Sequence, residues 1–315
     1  MRVVAIGGGT GLSTLLKGLK NHDVEITGVV AVTDEGGSSG IIRKEFNVPP
    51  PGDVRNNFVA LAEDEETLNL IMNYRFRDGF LRGHTVGNVL LAALTLMTGS
   101  LAGAVEMLSK VLAIRGRLLP VSDELIRLVA RFEDGEIVTG ETEIVSRRKR
   151  IVEVSLDKSV RALDDVLKAI EDADAIILGP GSLYTSVVSN LLVSGVPEAI
   201  SSNERAVKIY VANLMTQPGE TDGFKLSDHV KEIERYAKCE MDFVVANSQR
   251  PPRSVLERYE KEGYRPVELD VENVDRVIVL EPMVKIFVDP FDGKEKLRHD
   301  PEKLAKIVMK VASMR

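Results

Sequence analysis

The chain has 315 residues, 44% of them apolar, with 41 Lys and Arg set against 48 Asp and Glu for a net charge of −7. That acidic balance weakens the non-specific attraction on which nucleic-acid and anionic-membrane binding rely, so any phosphate must be held by local donors. A lone cysteine, Cys239, excludes an internal disulfide framework and a multi-cysteine zinc site.

Short β-branched runs alternate with segments of helical period, the pattern of βαβ units around a parallel sheet. Strands are expected at Arg2–Ile6, Glu25–Val32, Ala175–Leu178, Val207–Ala212 and Phe243–Ala246, each running into Gly, Ser, Thr or Asn. In an open parallel sheet that carboxyl edge is where ligands sit. Residues 54–113 read as a helical insertion, and 125–145 as a β-hairpin turning at Asp134-Gly135. The βαβ rhythm resumes at Asp172, and a last helix follows Pro301. With no repeat and no low-complexity linker, residues 1–315 read as one α/β domain. No basic and apolar leader precedes the first strand, and no stretch reaches the roughly 18 apolar residues of a span, which predicts a cytoplasmic protein without membrane insertion.

Five constellations carry chemistry. Gly7-Gly8-Gly9-Thr10-Gly11-Leu12-Ser13 lies between the first strand and a helix, where glycine lets backbone N–H groups approach a phosphate. It is neither a strict dinucleotide fingerprint, since Leu12 stands where a third glycine belongs, nor a Walker loop. Asp34, about 20 residues on, suits a ribose or a metal, and Gly37-Ser38-Ser39 behind it reads equally as an anion nest or a loop. Pro49-Pro50-Pro51-Gly52 leads to Asp53, a candidate N-cap, with Arg55 and Asn56 in the first turn. Gly83-His84-Thr85-Val86-Gly87-Asn88 adds a histidine and an amide at another helix start. After the Ala175 strand comes Gly179-Pro180-Gly181-Ser182-Leu183-Tyr184-Thr185-Ser186, again with free N–H donors, and after the Val207 strand come Asn213 and Gln217. Taken singly, each reads as a structural turn as readily as a ligand contact. Together they place several polar glycine loops along one sheet edge.

The sequence contains no Gly-x-Ser-x-Gly elbow, no His-Glu-x-x-His and no kinase loop, and its four histidines do not assemble a hydrolytic triad. The loops look better equipped to hold than to cut. No catalytic residue, bound metal or cofactor is assigned.

Read together, these motifs and Asn213-x-Met215-Thr216-Gln217 resemble the YvcK family, the bacterial gluconeogenesis factors of the CofD-like superfamily. The resemblance spans nearly the whole chain. It implies a Rossmann-like three-layer α/β/α fold and a cytoplasmic protein needed for growth on gluconeogenic carbon sources and for normal cell shape. It also implies a UDP-sugar ligand such as UDP-N-acetylglucosamine, with protein partners in cell-wall or carbon metabolism. The family's UDP-sugar arginine corresponds to Arg298. Its tyrosine corresponds to Tyr259, with Tyr264 as the alternative. An arginine can clamp a pyrophosphate and a tyrosine can stack on uracil. The resemblance has one departure, Glu35 in place of the family's common second aspartate after Asp34. A non-enzymatic regulator is favoured over an enzyme. The alternative is a transferase resembling the 2-phospho-L-lactate transferases, with Asp34 and Asp53 serving a metal or a base. An NAD-dependent dehydrogenase is disfavoured by the failed fingerprint. Among oligomers a homodimer is the default.

Overall fold

The computed structural model describes residues 1–289 and 293–314. The first half runs β1 (Arg2–Gly7), α1 (Gly9–Leu19), β2 (Glu25–Val30), α2 (Gly37–Phe46), α3 (Gly52–Leu61), α4 (Glu65–Asn73), α5 (Val86–Thr98), α6 (Leu101–Val111), β3 (Arg117–Pro120), β4 (Leu128–Phe132), β5 (Ile137–Thr139), α7 (Glu141–Arg147) and β6 (Ile151–Leu156). The second half runs α8 (Asp164–Asp172), β7 (Ala175–Leu178), a π-helical turn (Leu183–Val188) continued by α9 (Ser189–Leu191), α10 (Val196–Ser202), β8 (Val207–Val211), α11 (Leu226–Ala237), β9 (Phe243–Asn247), α12 (Arg253–Lys261), β10 (Val277–Glu281), β11 (Val284–Val288), β12 (Glu295–His299) and α13 (Pro301–Ala312).

Seven strands form one sheet in the order β10-β9-β8-β7-β1-β2-β3, and every neighbouring pair in it is parallel. The fold is a Rossmann-like α/β fold. All five expected strands are present in it. Their apolar runs lie buried on both faces, as Val3–Ile6 and Ala175–Leu178 do in full, which is why they read as continuous rather than alternating. The chain builds outward from β1 through β2 to β3, then crosses to β7 and builds the other way to β10. Strand order therefore reverses between β1 and β7, and the loops leaving these two strands diverge around a crevice.

Three local departures from the sequence reading matter for the site. Gly37-Ser38-Ser39 is the first turn of α2 and not a loop nest. α3 starts at Gly52 with Pro51 as its N-cap, so Asp53 sits in the first turn and is not the cap. The hairpin expected over 125–145 is confined to β4 and β5. Residues 141–147 form α7, and a third strand, β6, pairs antiparallel with β4 on its other side. A separate ribbon pairs β11 with β12 antiparallel and brings Arg298 and His299 back toward the sheet edge. Among the described residues no single helix is long and apolar enough to cross a membrane.

Helix α1 packs against α3 and α13. At Gly18 α13 lies against α1: a Cβ there would lie 2.0 Å from the Pro301 carbonyl oxygen and 2.7 Å from Ala305 Cβ. Alanine in a helix interior is intrinsically favoured over glycine by about 1 kcal/mol. Overpacking against a backbone atom that cannot rotate away costs about 1–3 kcal/mol and wins here. Gly18→Ala is therefore expected to lower the thermal midpoint, and an unchanged or raised midpoint would show that α13 can shift.

Candidate functional site

The crevice at the β1/β7 reversal is a cleft of about 310 Å³. One side is the glycine turn after β1, with Gly8, Gly9, Thr10 and Gly11. The other is Pro180, Gly181 and Ser182 after β7. A Cβ on Gly11 would fall 2.2 Å from the Pro180 carbonyl oxygen, so the two loops touch backbone to backbone. Asn190 Nδ2 donates to the Gly7 carbonyl at 3.0 Å, and the Gly181 N–H donates to Asn213 Oδ1 at 3.1 Å, fixing both loops to the β7 and β8 sides.

Three carboxylates line the cleft. Asp34, at the end of β2, accepts from the Gly36 N–H at 2.8 Å. Asp53 reaches across from α3 into the glycine turn, where it accepts from the Gly9 N–H. Burial and the neighbouring Asp34 charge push its carboxyl up to about 7, against the opposing pull of Gly9 and Arg55. Glu141, the first residue of α7, accepts from the Glu35 N–H and is raised well above the usual carboxylate range by burial and by Asp34, Asp53 and Glu220. Glu35 itself turns away: its Oε1 accepts from Arg127 Nε at 2.6 Å and lies 3.9 Å from Arg43. The longer residue beside Asp34 is thus an anchor between α2 and the β4–β5 hairpin, and not a cleft ligand.

The far end is aromatic and apolar. Tyr259 and Tyr264 meet edge to face with ring centres 5.5 Å apart, and Leu214, Met215 and Leu297 complete the wall. Both tyrosines, open alternatives in the sequence, line the cleft. The Tyr259 hydroxyl accepts from the Leu297 N–H at 2.8 Å and pins β12 to α12. Arg298 projects beside it, between this cleft and a second, larger groove of about 1090 Å³. Thr10 and Arg298 line both. The groove adds Lys17, Arg75, Arg77 and Arg82 to its wall.

The structure thus gathers Gly8, Gly9, Thr10, Gly11, Asp34, Asp53, Gly181, Ser182, Asn213, Gln217, Tyr259 and Arg298 around one space. It does not bring the remaining sequence candidates there. Leu12 is fully buried in the core. Ser13, whose hydroxyl donates to the Thr10 carbonyl, and Asn56 line the outer groove. Ser38, Ser39, Arg55, His84 and Asn88 form a polar network behind the cleft. In it Arg55 Nη1 donates to Thr85 Oγ1 at 2.7 Å and to Asn88 Oδ1 at 2.8 Å. Ser38 Oγ lies 3.0 Å from His84 Nδ1, and Asn88 Nδ2 donates to the Ser38 and Ser39 hydroxyls. Burial and Arg75 lower the Arg55 guanidinium to about 10. Gly37, with φ +44, only opens α2. Tyr184 points away to Glu232, and Thr185 Oγ1 donates to the buried Glu220 at 2.9 Å. Glu141, Ser186 and His299 line the cleft without having been expected there. Ser186 lay inside a run that the sequence had singled out, and His299 is the residue after Arg298. Glu141 carried no signal, because its segment read as hairpin.

The family model described as 2-phospho-L-lactate transferase CofD matches residues 3–285. A putative gluconeogenesis factor of Thermotoga maritima is 60% identical over 313 residues, 99% of either chain. The gluconeogenesis factor of Bacillus subtilis is 40% identical, covering 98% of this chain and 97% of its own. A crystal structure of a UPF0052-family protein from Bacillus halodurans superposes with a TM-score of 0.91 at 43% identity, over 98% of this chain and 99% of the other.

The raised Asp53 carboxyl sets a pH test. Its unfolded value is about 3.9, so folding takes up a proton between there and about 7. The wild type loses stability as pH rises through that window and stays lower above it. Asp53→Asn does not titrate and keeps an acceptor for Gly9. Its thermal midpoint is expected to gain on the wild type from pH 5 to pH 8, whereas a constant difference would mean that the carboxyl is not strained.

Proposed function

Starting from its membership of the CofD family, among the proteins named gluconeogenesis factors, we propose that this chain is a cytoplasmic regulator that binds UDP-sugars of the UDP-N-acetylglucosamine kind. It supports growth on gluconeogenic carbon sources and normal cell shape through partners in carbon or cell-wall metabolism. One observation carries the ligand reading. Two glycine loops rich in N–H groups, a guanidinium and a tyrosine pair converge on one cleft at the strand-order reversal. Phosphates find N–H donors at Gly8, Thr10 and Gly11, since the Gly9 and Gly181 N–H groups are held by Asp53 and Asn213, and charge at Arg298. The uracil takes the tyrosine end, and the sugar extends past Arg298 toward the outer groove. Asp53 and Glu141 are compatible with a pyrophosphate because burial favours their neutral forms, which donate a hydrogen bond to a phosphate oxygen. The relatives' names support the carbon-metabolism role, and the motif resemblance supports the cell-shape role.

The second reading is a metal-dependent transferase acting on a nucleotide diphosphate. It is favoured by the family's description and by carboxylates lining the cleft. Oxygen donors of this kind suit a divalent cation in type. Among the described residues, however, no three His, Cys, Asp or Glu side chains are arranged to hold one ion.

Calorimetric titration with UDP-N-acetylglucosamine separates the two. Saturable binding that weakens by about tenfold or more in Arg298→Ala, with the ligand recovered intact, is expected, since a charge-assisted contact is worth about 1.5–3 kcal/mol. Steady release of UDP or UMP, or a flat titration alongside binding of GDP or a deazaflavin, would overturn the regulator reading.

A further inference from the structure

The aromatic end of the cleft contains polar atoms that the protein itself leaves unsatisfied. His299 follows Arg298 on β12 and is 6% exposed. Its ring donates to the Ala212 carbonyl at the end of β8, while Nε2 has no partner. Burial lowers the imidazole to about 4, so the ring is neutral at ordinary pH and its free nitrogen is an acceptor. Five residues past Ala212, Gln217 donates from Nε2 to Ser182 Oγ at 2.6 Å, and its buried Oε1 also has no partner. Both residues line the cleft. The 213–217 loop bridges antiparallel to Pro266 beside Tyr264, and β12 is pinned to α12 through Tyr259. Asn57, Asn190 and His229 also carry partnerless buried atoms, but none of them lines the cleft.

Two acceptors in a dry wall are matched only by a ligand that brings donors. The ligand's phosphates are claimed by the glycine-turn N–H groups across the cleft, with Arg298 between the two ends, leaving the tyrosine end to the base. We propose that His299 Nε2 accepts the ring N–H of a bound nucleobase and that Gln217 Oε1 accepts a second donor from the base amino group or the ribose. The cleft thereby selects uracil or guanine over cytosine or adenine. At the corresponding edge, uracil and guanine present an N–H, whereas cytosine and adenine present a lone pair that would face the lone pair of His299. This rests on the reading that the cleft takes a nucleoside diphosphate, but it does not depend on the nucleoside being uridine.

The test is a set of titrations of the full chain with UDP, GDP, CDP and ADP, together with N3-methyl-UDP and N1-methyl-GDP, in which the ring N–H is removed. The better of UDP and GDP is expected to bind about 10- to 100-fold tighter than CDP, ADP and its own methylated form. His299→Leu is expected to shrink that ratio toward one. If His299→Leu does not fold, the wild-type methyl series still reads the ring N–H contact and Gln217→Leu the second acceptor, so the inference stays decidable. Equal affinities for all six nucleotides would overturn this inference while leaving UDP-sugar binding intact, and a preference for CDP or ADP would overturn both this inference and the uridine reading. Selective binding of GDP would support it and sink the uridine reading. No nucleotide binding at all would overturn both.

Discussion

The site depends on the backbone contact between two loops at the centre of the sheet. Where Gly11 meets the Pro180 carbonyl there is no room for a methyl group, and the strands that launch the loops, β1 and β7, are direct neighbours. Glycine is demanded here by proximity and not by dihedral angle, since Gly11 has no positive φ. The consequence runs outward. Because the loops touch at their base, the crevice opens only above them, and α3, α7 and the β11–β12 ribbon supply its upper walls from three distant stretches of chain. Asp53, Glu141 and Arg298 are therefore neighbours in space across 245 residues of sequence.

That arrangement explains how much was legible beforehand. The central strands are fully buried on both faces, so their apolar runs and the glycines that end them appear directly in the sequence. β6 does not, because its burial is uneven, with Glu153 and Ser155 exposed. The stretch after the hairpin failed for a related reason: Glu141–Arg147 is one short helix of two turns, and the polar residues that continue an exposed strand are the same ones that start such a helix. The cleft residue Glu141 was lost with it.

The misplaced site residues share a different cause. Ser38, Ser39, Arg55, His84 and Asn88 have the composition of a ligand shell, and they do form one connected set of hydrogen bonds, but with each other. A buried polar network and a ligand-binding wall use the same side chains, and only the direction in which they point separates them. The network has its own use. Gly52 is backed by Ser39 Oγ and Asp34 Oδ2, so satisfying these groups internally holds α3, and with it Asp53, against the glycine turn. Tyr184 and Thr185 were misread in the same way, since a glycine-rich run draws attention to hydroxyls that the π-helical turn then rotates toward Glu232 and Glu220.

Arg298 and Thr10 are a wall common to two chambers. A guanidinium on a long side chain cannot serve both chambers fully at once. An occupant of the basic outer groove that draws Arg298 toward itself takes it away from the cleft, and one that pushes it back lends it to the cleft. Thermodynamic reciprocity then requires that whatever fills the cleft change the affinity of the groove by the same factor. A side chain shared by two chambers would in this way couple whatever occupies one to whatever occupies the other.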